Sequence, residues 1–341
     1  MITVAGEALI DLVIDAAGSV TAVPGGAPFN VARIVARLGG DCQYVGKLSD
    51  DGFGEQLRDA LVQEGVRIAV PDPTPAPTTL AIARLDELGA AEYKFYLERT
   101  SAAELTAADV PAEILDGCNA IALGSLGLLI EPTASSLIAL IQHRPPGATI
   151  MLDPNCRPDA VTDLYTYREL IDTVLRQVDI VKVSTDDLRV LRPDQPSLAA
   201  ARRLLELGPA AVLVTDGASP ATVLTESFER SIPVPVVEVV DTIGAGDAFV
   251  AGFLTWWTAH ALNQHDAADP DALLNAAAAA IEVAAADCTV RGADLPADFR
   301  WSTKPGGQRS GRSDPRATAA STAPAAAARP SATTPARITA P

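Results

Sequence analysis

Two carboxylates flank a short glycine-rich turn at Asp241-Thr-Ile-Gly-Ala-Gly-Asp247, and an apolar run follows at once. Phe249, Phe253, Trp256 and Trp257 recur at helical spacing, so a helix is expected from about Asp247. Free N–H groups at a helix start attract anions, and glycine lets a phosphate approach the backbone closely. A carboxylate at the same point can take a proton from a hydroxyl. An anion site beside a base is what phosphoryl transfer to an alcohol needs. The segment is not a Walker A loop, because no Lys-Ser/Thr follows the glycines. It is a poor dinucleotide fingerprint, since Phe249 stands where the third glycine belongs. An ordinary strand–turn–helix connection with Asp247 as the helix cap is the alternative left open.

A second cluster lies near the N-terminus. Pro24-Gly-Gly-Ala-Pro-Phe-Asn30 precedes the first long helical pattern. Gly25 and Gly26 permit close backbone approach, Pro28 suits a first helical turn, and Asn30 offers both donor and acceptor. Asp11 follows a buried strand and is suited, at the strand end, to grip a pair of sugar hydroxyls. Asn30 as a helix cap and Asp11 as a turn residue are the structural alternatives.

Composition narrows the partners. The chain has 341 residues, 48% hydrophobic and 20% charged, with a net charge of −17. Nucleic acid and anionic membrane are therefore not expected as partners. Cys42, Cys118, Cys156 and Cys288 are scattered without zinc spacing, and His143, His260 and His265 stand in no nucleophile motif. The first residues enter a strand without a basic and apolar leader, and no apolar run is long enough to span a bilayer, so a cytoplasmic location is expected.

The elements that must position these groups alternate. Apolar strand-like runs at Ile2–Gly6, Gln43–Gly46, Ala120–Gly124, Thr149–Leu152, Ile180–Val183 and Ala211–Thr215 are interleaved with helical patterns. Those patterns cover Asn30–Leu38, Phe53–Glu64, Thr133–Gln142, Tyr167–Gln177, Leu198–Leu207 and the stretches after Asp247 and Asp271. This predicts an α/β fold, a mostly parallel sheet covered on both faces, with ligands at the carboxyl ends of the strands. Leu12–Val23 and Thr78–Leu97 read instead as strands without helices, joined in the second case by a turn at Asp86–Gly89. They predict a small antiparallel sheet that stands off the main domain and can cover a site. From about Thr303 the chain is Ala, Pro, Ser, Thr and Arg, with six basic residues against one acid, and disorder is expected there.

Gly25-Gly-Ala-Pro-Phe-Asn30 and the distant Asp241–Asp247 motif together resemble the PfkB-type, ribokinase-like carbohydrate kinases over residues 1–302. Within that family the chain is most similar to bacterial fructokinases, through Gly6-Glu-Ala-Leu-Ile-Asp11, Phe95-Tyr-Leu-Glu-Arg-Thr-Ser101, Leu152-Asp-Pro-Asn-Cys-Arg157 and Lys182-Val-Ser-Thr-Asp-Asp187. The resemblance implies a three-layer αβα domain with a β-sheet lid and transfer of the γ-phosphoryl of ATP to a sugar hydroxyl. It implies Asp247 as base and the backbone of Gly244, Ala245 and Gly246 as anion hole. Asp11, Gly26 and Asn30 match sugar-binding positions, with Asn155 and Arg157 near sugar or phosphates. Tyr96 and Arg99 in the lid are candidate sugar contacts, against a packing Tyr and a solvated Arg. Ser184 and Asp187 stand for the family's Asn and Glu, which organise magnesium and phosphates largely through water. Thr215 and Gly217 match the nucleotide loop, where Pro220 replaces a usual glycine, and Asn275 matches a residue beside the adenine. Asp241 and the Ile243 carbonyl match a monovalent-cation site, completed by the loop around Cys288–Gly292, with potassium the expected ion. A homodimer through the lid is implied as well. The competing readings are a 2-dehydro-3-deoxygluconate kinase, ribokinase or nucleoside kinase of the same family, and a sugar or nucleotide sensor without catalysis. A dehydrogenase is disfavoured by the late position of the glycine motif.

Overall fold

The computed structural model describes residues 1–85 and 91–301. From the N-terminus, β1 (Ile2–Ala5) starts the main sheet, and β2 (Leu9–Ile14) and β3 (Val20–Gly25) leave it as a hairpin. The helix α1 (Ala27–Arg37) returns the chain to β4 (Cys42–Val45), then α2 (Gly52–Gln63) and β5 (Arg67–Ile68). β6 (Leu80–Leu85) and β7 (Ala91–Tyr96) rejoin the hairpin. The alternation resumes with β8 (Ala120–Gly124), α3 (Thr133–Gln142), β9 (Thr149–Asp153), α4 (Leu164–Leu175) and β10 (Ile180–Ser184). Two helices, α5 (Thr185–Leu191) and α6 (Ser197–Leu205), lead to β11 (Ala211–Asp216), β12 (Ser219–Leu224) and β13 (Glu229–Ile232). Last come α7 (Ala245–Ala259) and α8 (Pro270–Asp287).

The apolar runs become parallel strands because both of their faces are covered. Along β8, Ala120 and Ala122 belong to the core under α1, α2, α7 and α8, while Ile121 and Leu123 belong to the core under α3, α4, α5 and α6. The same period-two division holds for Met151 against Ile150 and Leu152, and for Ile180 against Val181 and Val183. The nine-stranded order is β13-β12-β11-β10-β9-β8-β1-β4-β5, parallel except for the β11-β12-β13 edge. Pro220 lies in β12 beside a register shift between Val214 and Asp216, where the ladder is interrupted and its missing N–H costs least. Helices α7 and α8 touch closely, since a Cβ on Gly252 would lie 3.0 Å from the Ala280 Cα.

The small sheet departs from the expectation. Its order is β3-β2-β6-β7, and its central pair β2–β6 is parallel, so it is mixed rather than antiparallel. The chain crosses the main domain between those two strands, which allows a parallel pairing that a hairpin cannot make. Asp11 is also displaced from its expected place. It sits inside β2, opposite Val23 and Ala81, not at the end of a main-sheet strand. The turn at 86–90 and the tail from 302 lie outside the described residues. Among the described residues no helix is long and apolar enough to cross a membrane.

Candidate active site

The start of α7 stands at the carboxyl end of the main sheet. Gly244 caps it at φ 91°, a left-handed conformation, and a Cβ there would lie 2.5 Å from the Ala293 Cα. The N–H groups of the following turn have no intrahelical partner. Asp247 is the third residue of the helix, not its cap, and only 7% of it is exposed. Its carboxylate accepts a hydrogen bond from Asn30 Nδ2 at 2.9 Å. Burial pushes the Asp247 pKa up to about 6, against the pull of the Asn30 bond. Asn30 lies in the first turn of α1, whose cap is Gly26 at φ 104°, so it too is not a helix cap. The Asn30 Oδ1 is buried without a partner among the described residues. A Cβ on Gly26 would lie 2.8 Å from the Glu7 carbonyl oxygen, which leaves room for glycine alone.

Behind this turn, Lys182 and Asp153 form a buried ion pair at 2.8 Å. A Cβ on Gly246 would lie 2.8 Å from the Lys182 Nζ, so the ammonium faces the middle of the glycine turn. Asp187 and Ser184 make a capping box at the start of α5. One Asp187 oxygen accepts from the Cys156 N–H at 2.7 Å, and the other accepts from the Ser184 N–H at 2.9 Å and the Ser184 hydroxyl at 2.6 Å. Three of its roughly four acceptor positions are thus taken. Asp187 does not fit as a direct magnesium ligand.

On the lid side, the Asp11 carboxylate occupies the space that a Cβ on Gly25 would need. Burial raises its pKa to about 6, and the Arg157 charge opposes that rise. Arg157 donates to the Asn155 and Cys156 carbonyls, each at 3.1 Å. Asn155 has φ 41° and donates its N–H to Asp153 at 3.2 Å. In the sheet register Asp11, Ala81 and Phe95 share one face with Val13, Ala83 and Tyr93. Tyr96 pairs with Leu80 on the opposite face, so the structure brings Tyr93, not Tyr96, toward Asp11. Arg99 follows β7 at φ 56° and is exposed.

Farther out, a cavity of about 480 Å³ opens between the segment after β13 and α8, lined by Ile232, Pro233, Val237, Ala278 and Ile281. Asn275 is exposed one turn before Ala278 and donates to the Asp271 carbonyl at 2.8 Å. Thr215 is the last residue but one of β11, and Gly217, at φ 54°, makes the tight turn into β12. Asp241 ties two loops together, accepting from Thr242 and Ile243 N–H groups at 2.8 and 3.1 Å and from Gly292 at 3.0 Å. Beside Cys288–Gly292, Asp287 is fully buried and accepts from the Asp294 N–H at 2.9 Å, while its Oδ2 has no partner among the described residues. Burial and the Asp247 charge push Asp287 up to about 8. Among the described residues neither Asp241 nor Asp287 has an ion pair, so this corner fits a cation.

Residues 1–300 match the pfkB family carbohydrate kinase description. The chain belongs to the pfkB family of carbohydrate kinases. This pfkB-family chain is 36% identical over 260 residues to a fructokinase of Rhizobium leguminosarum bv. trifolii, covering 74% of this chain and 78% of the relative. It superimposes on the fructokinase of Xylella fastidiosa with bound ATP at a TM-score of 0.80, with 28% identity over 86% of this chain and 93% of that one. The aminoimidazole riboside kinase of Salmonella enterica, complexed with aminoimidazole riboside and an ATP analogue, gives 0.74, with 29% identity over 86% and 94%.

Of the residues singled out in this pfkB-family sequence, the structure gathers Asp247, Gly244, Ala245, Gly246, Asn30 and Gly26 in one place. On the lid side, Asp11 lies within reach of the Arg157 charge. Sequence reasoning missed Lys182, Asp153, Glu7 and Asp287. A lysine within the otherwise apolar Ile180-Val-Lys-Val183 was the available signal. Glu7 is 1% exposed, accepts from the Gly127 N–H at 2.9 Å, and burial raises its pKa to about 7.

Proposed function

We propose that this chain is an ATP-dependent fructokinase that phosphorylates fructose at its primary alcohol. The observation that carries this reading is the buried, Asn30-bonded Asp247 at a glycine-lined helix start. Asp247 accepts the proton of the attacking hydroxyl, and Asn30 orients its carboxylate. The backbone N–H groups of Gly244, Ala245 and Gly246 receive the oxygens of the phosphoryl group in transfer. Asp11 takes sugar hydroxyls, Gly26 lets the sugar approach the backbone, and Arg157 with Asn155 adds charge and donors at the rim. The apolar cavity beside α8 takes the adenine, with Asn275 at its edge and Thr215 and Gly217 toward the phosphates.

A divalent ion such as magnesium, bound with ATP, would supply positive charge to the phosphates. Ser184 and Asp187 would hold it through water, because their own hydrogen bonds occupy them. Asp241, the Ile243 carbonyl and the buried Asp287 oxygen would hold a monovalent cation such as potassium beside the anion site. The four-stranded sheet acts as a lid that keeps water from replacing the sugar. Val20 and Tyr96 are exposed on its face opposite Asp11, and they suit pairing with the lid of a second copy.

The test is ATP-dependent phosphorylation of fructose, ribose, tagatose, 2-dehydro-3-deoxygluconate, adenosine and aminoimidazole riboside, with magnesium and potassium present. Selective turnover of fructose is expected, and Asp247→Asn should lower it by about 10²–10⁴-fold while ATP still binds. Turnover of another member would replace the substrate. Silence across the panel with ATP bound would favour a sensor.

A further inference from the structure

The alternation of β10 sends Lys182 toward the face of the main sheet that α7 covers. Ile180 lies in the core beneath α7, and Val181 and Val183 lie in the opposite core. Ile180 pairs with Met151 of β9, and two residues farther along each strand stand Lys182 and Asp153. The pair is 2.8 Å apart, and Lys182 is 4% exposed. A buried ion pair is a weak source of stability, since apolar side chains of similar volume fill such a place at least as well. The pair therefore needs another reason. Nζ supplies it, lying against the Gly246 Cβ position with, among the described residues, two of its three protons left over after Asp153.

We propose that Lys182, gripped by Asp153, is a fixed positive charge beneath the Gly244–Gly246 turn that stabilises the phosphoryl group in transfer and offsets the field of Asp153 at Asp247. This rests on Asp247 being the base. The sugar oxygen bonds to the γ-phosphorus as the bond from that phosphorus to the β–γ bridging oxygen breaks. ADP keeps the electron pair, the hydroxyl proton goes to Asp247, and Lys182 neither gives nor takes a proton. Burial works against the charge on Lys182, yet Asp153 and Asp187 outweigh it and hold its pKa above the ordinary lysine value. The groups that act on Asp247 are Asn30 from α1, Asp153 from the end of β9, Lys182 from β10 and Arg157 from the loop after β9. Glu7 after β1 and Asp287 at the end of α8 are two further charges coupled to it.

The experiment compares wild type, Lys182→Met, Asp153→Asn and the double variant. It reads kcat against pH, ATP affinity by calorimetry, and Tm. The double variant removes both charges, so that neither is stranded in the interior. Lys182→Met and the double variant are both expected to lose on the order of 10²–10³ in kcat, with the double variant keeping wild-type Tm and ATP affinity. The acid limb of the profile should rise by about one pH unit in Lys182→Met and fall by about as much in Asp153→Asn. A double variant with wild-type kcat would reduce the pair to packing and overturn the proposal, as would acid limbs that neither single variant moves. A wild type that turns over no sugar, or an Asp247→Asn that stays active, defeats the reading of Asp247 instead. Either result takes this inference down with it, and it is visible before any Lys182 variant is made.

Discussion

At the scale of single residues, the site depends on a carboxylate held back from full acidity. Burial raises Asp247 to about 6, and the Asn30 amide lowers it from what burial alone would give. A base must be ionised to work, so kcat/KM should climb as pH rises through about 6 and level off above it. Asn30→Leu removes a hydrogen bond to a charged group, worth about 1.5–3 kcal/mol, so kcat/KM should fall roughly 10- to 100-fold. The same change should push the acid limb upward, because the carboxylate loses the donor that favours its charged form. The measurement is sugar kinase activity from pH 5 to 9 in both proteins. A limb that stays in place while activity falls would mean that Asn30 serves the sugar rather than Asp247.

At the scale of elements, the lid strand β2 and the β3–α1 junction must sit so close that only glycine fits between them. The Asp11 carboxylate fills the Cβ position of Gly25. Gly25→Ala should drive that carboxylate aside and raise KM for the sugar on the order of tenfold to a hundredfold. KM for ATP should hardly change, since the cavity beside α8 is built from other elements. An unchanged sugar KM would dissociate Asp11 from the sugar. The same elements show what was legible beforehand. Short apolar runs marked β1, β4 and β8 to β11 to within a residue or two, because a strand buried on both faces stays mostly apolar even where Thr3, Gln43 or Lys182 interrupts it. The strand β12, the edge strand β13 and the short α5 were missed, since Ser, Pro, Thr and Asp carry no apolar period there. The parallel β2–β6 pairing was not legible either, because strand direction follows from a crossover through the other domain, which no local pattern records. Asn30 and Asp247 are 217 positions apart, and residue types alone suggested their meeting only through the family resemblance.

At the scale of the whole molecule, the site concentrates carboxyls that folding makes harder to ionise. Glu7 is raised to about 7, Asp11 and Asp247 to about 6, and Asp287 to about 8, in each case first by burial. A carboxyl whose pKa is higher folded than unfolded binds more protons in the native state. Its stabilising contribution is complete below the unfolded value near 4 and is lost as pH rises through the folded value. These four groups therefore work in the window between about pH 4 and 8, and raising one carboxyl's pKa by 1 corresponds to about 1.4 kcal/mol. The carboxyls that hydrogen bonds pull down, Asp51 and Asp109, lose their contribution only below about pH 4 and leave this window alone. The ligand-free protein should thus melt at a higher temperature at pH 5.5 than at pH 8.5, by on the order of 5 °C. The net charge of −17 pushes the same way, so the sign alone does not identify the buried groups. Glu7→Gln separates the two causes. The amide cannot ionise, so the variant should melt closer to one temperature across the range, whereas surface repulsion would leave its slope like that of the wild type. A wild-type melting temperature that rises with pH would mean that these carboxyls are already charged in the folded protein, with cations or water reaching them.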